Sequence, residues 1–313
     1  METATQAVLR QIIIMFMIVV IGAICYKVKL ITDEGKKQLS TLVMYIVNPL
    51  LIFLAYQTDF NKDLLAGLGW VAVMAIITYA AFIIISNIFL KDKEGREAAI
   101  ERFSVVYSNC GFMGTPLILG VFGSEGVVLQ NGFITIFNLC VWTHGLMTIK
   151  GENDKKSILR AFKTPALISV CLGLICFFLQ IKIPEIPKTA LNHVAEMTTP
   201  LAMLVAGASI AGSDILKCLK NPRVYLITFL KLIVFPIIGL FLIIFLPASE
   251  TAKLITLIEI ACPTATIWMM FAITYNKNSE YCSQIFAVTT LLSMVTLPFI
   301  VWFGTTMLKT LSI

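Results

Sequence analysis

The sequence predicts an all-α polytopic membrane fold, with ten transmembrane helices arranged as two inverted five-helix repeats. Three observations predict it. First, the 313 residues are 58% hydrophobic and 13% charged, with a mean hydropathy of +0.90, whereas soluble domains carry about 25% charged residues. Second, the apolar residues form long runs rather than the weak alternation of a transmembrane barrel. At roughly 20 residues per bilayer crossing these runs divide into ten spans. Third, proline-centred interruptions recur at matched places in the two halves.

In chain order the expected spans are 7–28, 37–57, 65–90, 99–122, 126–149, 162–182, 189–211, 223–246, 251–275 and 280–307. The amino terminus shows neither a lysine-rich start nor a small-residue cleavage site, so span one reads as a retained helix. Connections are short. The longest polar ones run from Lys91 to Arg102 and from Lys150 to Lys163, and no soluble domain is expected between spans. Residues 1–150 make the first repeat and residues 151–313 the second.

Basic residues set the orientation. Of the 24 Lys and Arg, 17 fall in the connections after spans one, three, five, seven and nine. Six fall in the termini and the even-numbered connections, and Lys231 lies inside span eight. The odd-numbered connections are therefore expected in the cytoplasm and both termini outside. The net charge of +6 lacks any basic cluster with interleaved aromatics, so no nucleic-acid partner is indicated. The eight cysteines include no CxxC pair and sit mostly in apolar runs, as small packing residues and not as disulfide or metal ligands.

The most informative stretch is Ser108-Asn109-Cys110-Gly111-Phe112-Met113-Gly114-Thr115-Pro116. Proline removes a backbone donor and crowds the preceding turn, so span four must break or kink here. Thr115 followed by Pro116 is a restart signal, a capping hydroxyl with proline in the first helical position. Freed backbone groups are tolerated in a bilayer only where protein or a water-filled cavity satisfies them. A packing kink would explain this stretch alone, but span nine carries Ala261-Cys262-Pro263-Thr264-Ala265-Thr266 with its proline 147 positions after Pro116. Span two carries Asn48-Pro49 and span seven Thr199-Pro200, with prolines 151 apart. Because each half holds five spans, the halves run in opposite directions through the membrane. Paired broken helices in such repeats are where secondary transporters bind their cargo.

Asn48-Pro49-Leu50, Asn109 to Pro116 and Ala261-Cys262-Pro263, in that order within ten spans, resemble the auxin efflux carrier family. That family includes the plant PIN-FORMED carriers and bacterial malonate and malate permeases. The likeness covers essentially the whole chain. It implies a scaffold of spans one, two, six and seven, and a mobile transport unit of spans three to five and eight to ten. It also implies that spans four and nine cross at Pro116 and Pro263 in mid-membrane, with an elevator-like movement and a homodimer. The short Lys150–Lys163 connection resembles the compact bacterial branch, hence a bacterial cytoplasmic membrane.

The residues expected to carry function follow. Asn109, at the approach to the break, can donate its amide to a carboxylate, and the resemblance places the corresponding asparagine at the substrate site. Gly111, Gly114, Thr115 and Pro116 form one side of the expected substrate site, and Pro263 and Thr264 the other. The threonines, with Thr266, either cap the restarts or touch ligand. Backbone N–H groups after the breaks favour an anion. Asn131, Thr135 and Asn138 share one face of span five and either line the substrate path or hydrogen-bond neighbouring helices. Lys231 and Glu259 are costly in a membrane and lie at similar depths. They read as an ion pair, either structural or coupled to a proton or cation. Glu196 reads as interfacial, and Asp59, Asn61 and Asp63 as a solvated external turn.

His144 and His193 lie in different halves, and neither has the partners of a nucleophile and base, so no enzyme, cofactor or metal site is expected. The reading is a secondary carrier for a small organic carboxylate, coupled at most to a proton or sodium ion. The alternatives are an exporter of an auxin-like amphipathic anion, or an anion channel or membrane sensor on the same fold.

Overall fold

The computed structural model describes residues 4–59, 61–91, 97–150, 163–213, 221–275 and 277–311. The regular elements within them are all helices. They are α1 (Ala4–Lys27), α2 (Asp33–Ala55), α3 (Lys62–Phe89), α4 (Ala98–Val106), α5 (Cys110–Ile149), α6 (Pro165–Leu179), α7 (Glu185–Gly212), α8 (Pro222–Ile243), α9 (Glu250–Ala261), α10 (Ile267–Thr274) and α11 (Ser279–Leu311). Seven of these, α1, α2, α3, α5, α7, α8 and α11, are long and apolar enough to cross a membrane. The molecule is a multi-pass membrane protein.

Polar residues between the apolar runs cap the helices. Thr32 accepts from the Gly35 amide at the start of α2 (3.1 Å), and Asn61 from Asp63 at the start of α3 (2.8 Å). Asn221 accepts from Arg223 at the start of α8 (3.0 Å), and Ser249 from Ala252 at the start of α9 (3.2 Å). Each bond satisfies a first-turn N–H that no carbonyl can reach.

Proline shapes the helices by widening turns as well as by breaking them. Val43–Val47, Cys110–Gly114 and Leu230–Val234 are single π-type turns, and each is followed by a residue and then Pro49, Pro116 or Pro236. In each case the residue before proline donates its N–H five positions back: Asn48 to Val43, Thr115 to Cys110, Phe235 to Leu230. The ring would clash with the carbonyl four positions back and offers it no donor; opening the turn relieves both problems.

This corrects the restart expected at Thr115-Pro116. The helix resumes at Cys110, where Asn109 O accepts from the N–H of Met113 (3.0 Å) and Gly114 (3.2 Å). Thr115 lies inside it and returns its hydroxyl to Cys110 O (3.2 Å). Downstream, α5 turns sharply at Gly123, whose φ of +66° and ψ of −161° are open only to glycine.

The two interrupted stretches meet. Residues 107–109, between α4 and α5, and residues 262–266, between α9 and α10, run antiparallel with Ser108 opposite Thr264. Asn109 N–H donates to Pro263 O (2.7 Å) and Ala265 N–H to Tyr107 O (3.0 Å). The breaks thus satisfy one another's backbone, as an apolar interior requires.

Around this junction α1 lies along α7, where Gly22 and Gly207 bring the two backbones together and a side chain at either would meet main chain. α2 packs on α6 with the Tyr56 ring over Gly173, and Gly132 lets α5 press against α3 at Leu68. Ile13, Met17 and Ile21 of α1, Ile84 and Ile88 of α3, Leu172 and Leu179 of α6, and Val295 and Trp302 of α11 point outward. These helices present apolar faces suited to lipid.

Candidate functional site

A cavity of about 90 Å³ opens beside the paired breaks. Its polar wall is Asn48 from α2, Asn109, Asn138 from α5 and Thr266, and its apolar wall includes Phe112, Ile134, Ala166 and Ile267. Roughly 10–15 Å³ of such volume admits one water, so several waters or a small organic ion fit.

Asn109 stands at the N-terminus of α5 with only 3% of its surface exposed. Its amide nitrogen has no hydrogen-bond partner, nor does the amide oxygen of Asn48. Buried polar groups are normally paired, and Asn109 and Asn48, each with one unpaired amide atom, both line the cavity. Gly111 lies against Asn48, and a methyl group built there would sit 3.7 Å from the Asn48 amide nitrogen. The first turns of α5 and α10 lie at the same cavity, and free N–H groups at helix N-termini favour an anion. Among the described residues, neither Asp nor Glu lines it.

The expected site residues divide into three groups. Asn109, Gly111 and Asn138 line the cavity together with Thr266. Asn138 turns its amide nitrogen back to Ile134 O (2.9 Å), and Thr135 turns its hydroxyl back to Asn131 O (2.7 Å), so these two polar side chains satisfy their own helix. Gly114 and Thr115 belong to a buried cluster around Gln130. The Gln130 amide nitrogen shares its two N–H groups among three acceptors within reach, Glu259 Oε1 (2.9 Å), Thr115 Oγ1 (3.0 Å) and Cys110 O (3.2 Å), while the Glu259 carboxylate rests on Gly114. Pro116, Pro263 and Thr264 serve the backbone: Pro116 O accepts from Gln11 of α1 (3.3 Å), Pro263 O from Asn109 N–H, and Thr264 donates to Ser104 O (3.0 Å).

The expected Lys231–Glu259 ion pair does not form. Lys231 Nζ donates to Ser108 Oγ (2.6 Å) and Ile260 O (3.4 Å), at the carboxyl end of α9. Successive helical residues are about 100° apart around the axis, so Glu259 points toward α5 while the Ile260 carbonyl faces Lys231. The lysine's charge is met by the negative end of the helix. Both side chains are fully buried.

Gln130 and Ser108 were not expected as partners, and Asn48 was read only as part of a motif. A glutamine within an apolar span, and an asparagine directly before proline, were the available signals. His144 bonds the Tyr107 hydroxyl (2.9 Å), and His193 lies near Glu196 on the surface. In the turn before α3 Lys182 pairs with Asp59 and holds its carboxyl below the usual carboxylate range.

A family model described as membrane transport protein matches residues 7–301. The chain belongs to that family. This accords with the likeness to the auxin efflux carriers read from the motifs. An uncharacterized transporter of Methanocaldococcus jannaschii is 24% identical over 306 residues, spanning 93% of this chain and 97% of the relative. One of Methanothermobacter thermautotrophicus is 24% identical over 301 residues, or 94% and 96%. A Rhizobium meliloti protein provisionally named as a malonate transporter is 25% identical over 278 residues, or 84% and 85%. The family and these relatives are named as transporters, not enzymes.

Proposed function

We propose that this membrane transporter is a secondary carrier that binds a small organic carboxylate in the cavity beside the paired breaks. The observation that carries the reading is the buried, unpaired amide of Asn109 at the start of α5, a residue that lines a cavity with no carboxylate among its described lining. Free N–H groups of the first turns of α5 and α10 supply further donors. Malonate is the first candidate, from the name of the Rhizobium meliloti relative.

In this reading α1, α2, α6 and α7 form a fixed scaffold, and α3 to α5 and α8 to α11 form a unit that slides past it. The cavity lies between the two, with Met44, Asn48 and Ala166 on the scaffold side and Asn109, Asn138 and Thr266 on the moving side. Two inverted five-span repeats, 1–150 and 151–313, are supported by reciprocal detail. Ser108 donates to the end of α9 and Thr264 to the end of α4, while α1 packs on α7 and α2 on α6. The protein sits in a cytoplasmic membrane with its odd-numbered connections inside, as a homodimer through the scaffold. A proton or sodium ion exchanging at Glu259 couples transport.

Reconstitution in proteoliposomes tests the reading. Saturable malonate uptake with counterflow is expected for the wild type, and its loss in Asn109→Ala. Conductance without counterflow would indicate a channel instead.

A further inference from the structure

We propose that Lys163 and the N-terminus of α6 form an outer carboxylate subsite, on one side of the protein only, through which the anion reaches the inner cavity. The inference rests on the anion reading of that cavity and adds the residues that feed it.

A second cavity, of about 250 Å³, adjoins the first, and the two share Met44, Asn138, Ala166 and Ile267. Lys163, Thr164 and Pro165 stand at this outer chamber, with Tyr45 and Trp142 as its aromatic walls. Among the described residues, neither lining contains an Asp or Glu. Thr164 is the extended residue before α6 (φ −70°, ψ 137°), its side chain makes no capping bond to the first turn, and Pro165 occupies the first turn. The amides of Ala166 and Leu167 therefore have no carbonyl one turn back and sit at the positive end of a 15-residue helix.

Every helix has such an end, so the end alone decides nothing. Asn109 supplies the independent sign. The residue is more than nine-tenths buried with its amide nitrogen unpaired, and it lines the cavity that Ala166 also lines. The starts of α5 and α6 thus border one void from two sides, a setting that suits a ligand rich in acceptors. Lys163, exposed at the outer chamber, adds a full positive charge on the route to it. In the sequence the connection just before it carries Lys150, Lys155, Lys156 and Arg160 against Glu152 and Asp154, a net positive charge.

The subsite has a side. Its connection is one that the basic-residue distribution assigns to the cytoplasm. α6 also belongs to the fixed scaffold of the proposed mechanism, so Lys163 does not travel with α5 and α10. It meets the anion when the cavity faces inward and is left behind when the cavity faces outward.

Malonate flux in right-side-out and inside-out vesicles tests this, using wild type, Lys163→Gln, Lys163→Glu and Lys163→Arg. Lys163→Gln is expected to raise the KM measured from the cytoplasmic face about three- to tenfold at low salt, since charges at a rim act on capture and are screened. Lys163→Glu should raise it further and Lys163→Arg should restore it, with the KM from the opposite face unchanged in all three. High salt should shrink the difference. Because Lys163 is exposed, unaltered thermal stability of each variant checks that folding is intact. A KM unchanged on both faces, or raised equally on both, overturns the subsite while leaving the carrier reading standing. No flux of malonate or any other carboxylate in the wild type overturns the anion reading and the subsite with it.

Discussion

Ser108 and Thr264 face each other across the two helix breaks, and each donates its hydroxyl to the far helix: Ser108 Oγ to Ile260 O of α9 (3.1 Å) and Thr264 Oγ1 to Ser104 O of α4 (3.0 Å). Each break thereby satisfies the open end of the helix that the other interrupts. The exchange ties α4 to α9 more firmly than apolar packing alone, because a lost bond here leaves a carbonyl bare in a dry interior.

The two hydroxyls are not equivalent, since Ser108 also accepts from the buried Lys231 ammonium. Hydrogen bonds between membrane helices are worth about 0.6 kcal/mol on average and up to about 1.7 kcal/mol. Thr264→Val is expected near the lower figure and Ser108→Ala near or above the higher one in detergent unfolding. Adding Lys231→Met to Ser108→Ala should recover part of the loss, because removing one partner of a buried charge costs more than removing both. Equal losses for the two single variants would refute the asymmetry.

Gly114 touches the Glu259 carboxylate, and a β-carbon there would overlap it. Gly114→Ala should displace Glu259 from Gln130 and lower stability by about 1–3 kcal/mol, the usual cost of overpacking. Shortening the acid to alanine in the same molecule should return most of that stability. Thermal melts of the single and double variants measure the recovery, and strict additivity would show that the two residues do not press on each other.

Asn109→Ala separates binding from folding. The amide nitrogen it removes is buried and unpaired, so the unliganded protein should be no less stable, given that an unsatisfied donor costs about 1–3 kcal/mol. The thermal shift produced by malonate should disappear. A variant that melts early without ligand would instead give Asn109 a structural role.

Gly123 has open space around its α-carbon yet a positive φ. Gly123→Ala therefore meets no steric neighbour, and its cost is conformational alone, about 1–3 kcal/mol for a region that side chains avoid. Gly69, also without a neighbour at its β-position but within the regular helix α3, should gain from the same substitution, since alanine is the better helix former. Comparing the two melting shifts checks the sign of each.

Much of the fold was legible in the chain itself. The breaks near Pro116 and Pro263 were readable because a missing N–H and a bulky ring act on the nearest turn, whatever surrounds them. Even so, the first break falls at residues 107–109, ahead of the glycines, since a widened turn absorbs the proline and lets the helix start at Cys110. The stripe of Asn131, Thr135 and Asn138 was visible as a face of span five, yet what the face does was open. Asn138 reaches the cavity, while Thr135 and the Asn138 amide nitrogen bond their own helix.

The sequence alone determined that the chain spans a membrane, that its helices are interrupted near Pro116 and Pro263, and that costly polar groups lie within them. Hydropathy, proline geometry and charge placement are local properties that survive without knowledge of neighbours. Only the tertiary structure decided who meets whom: Lys231 with Ser108 and not Glu259, Glu259 with Gln130, Asn109 with an open cavity shared with Asn48. Those choices depend on the rotation of each helix about its axis. That angle is set by close packing such as Gly22 and Gly207 between α1 and α7, and a shift of one residue turns a side chain by about 100° toward a different neighbour.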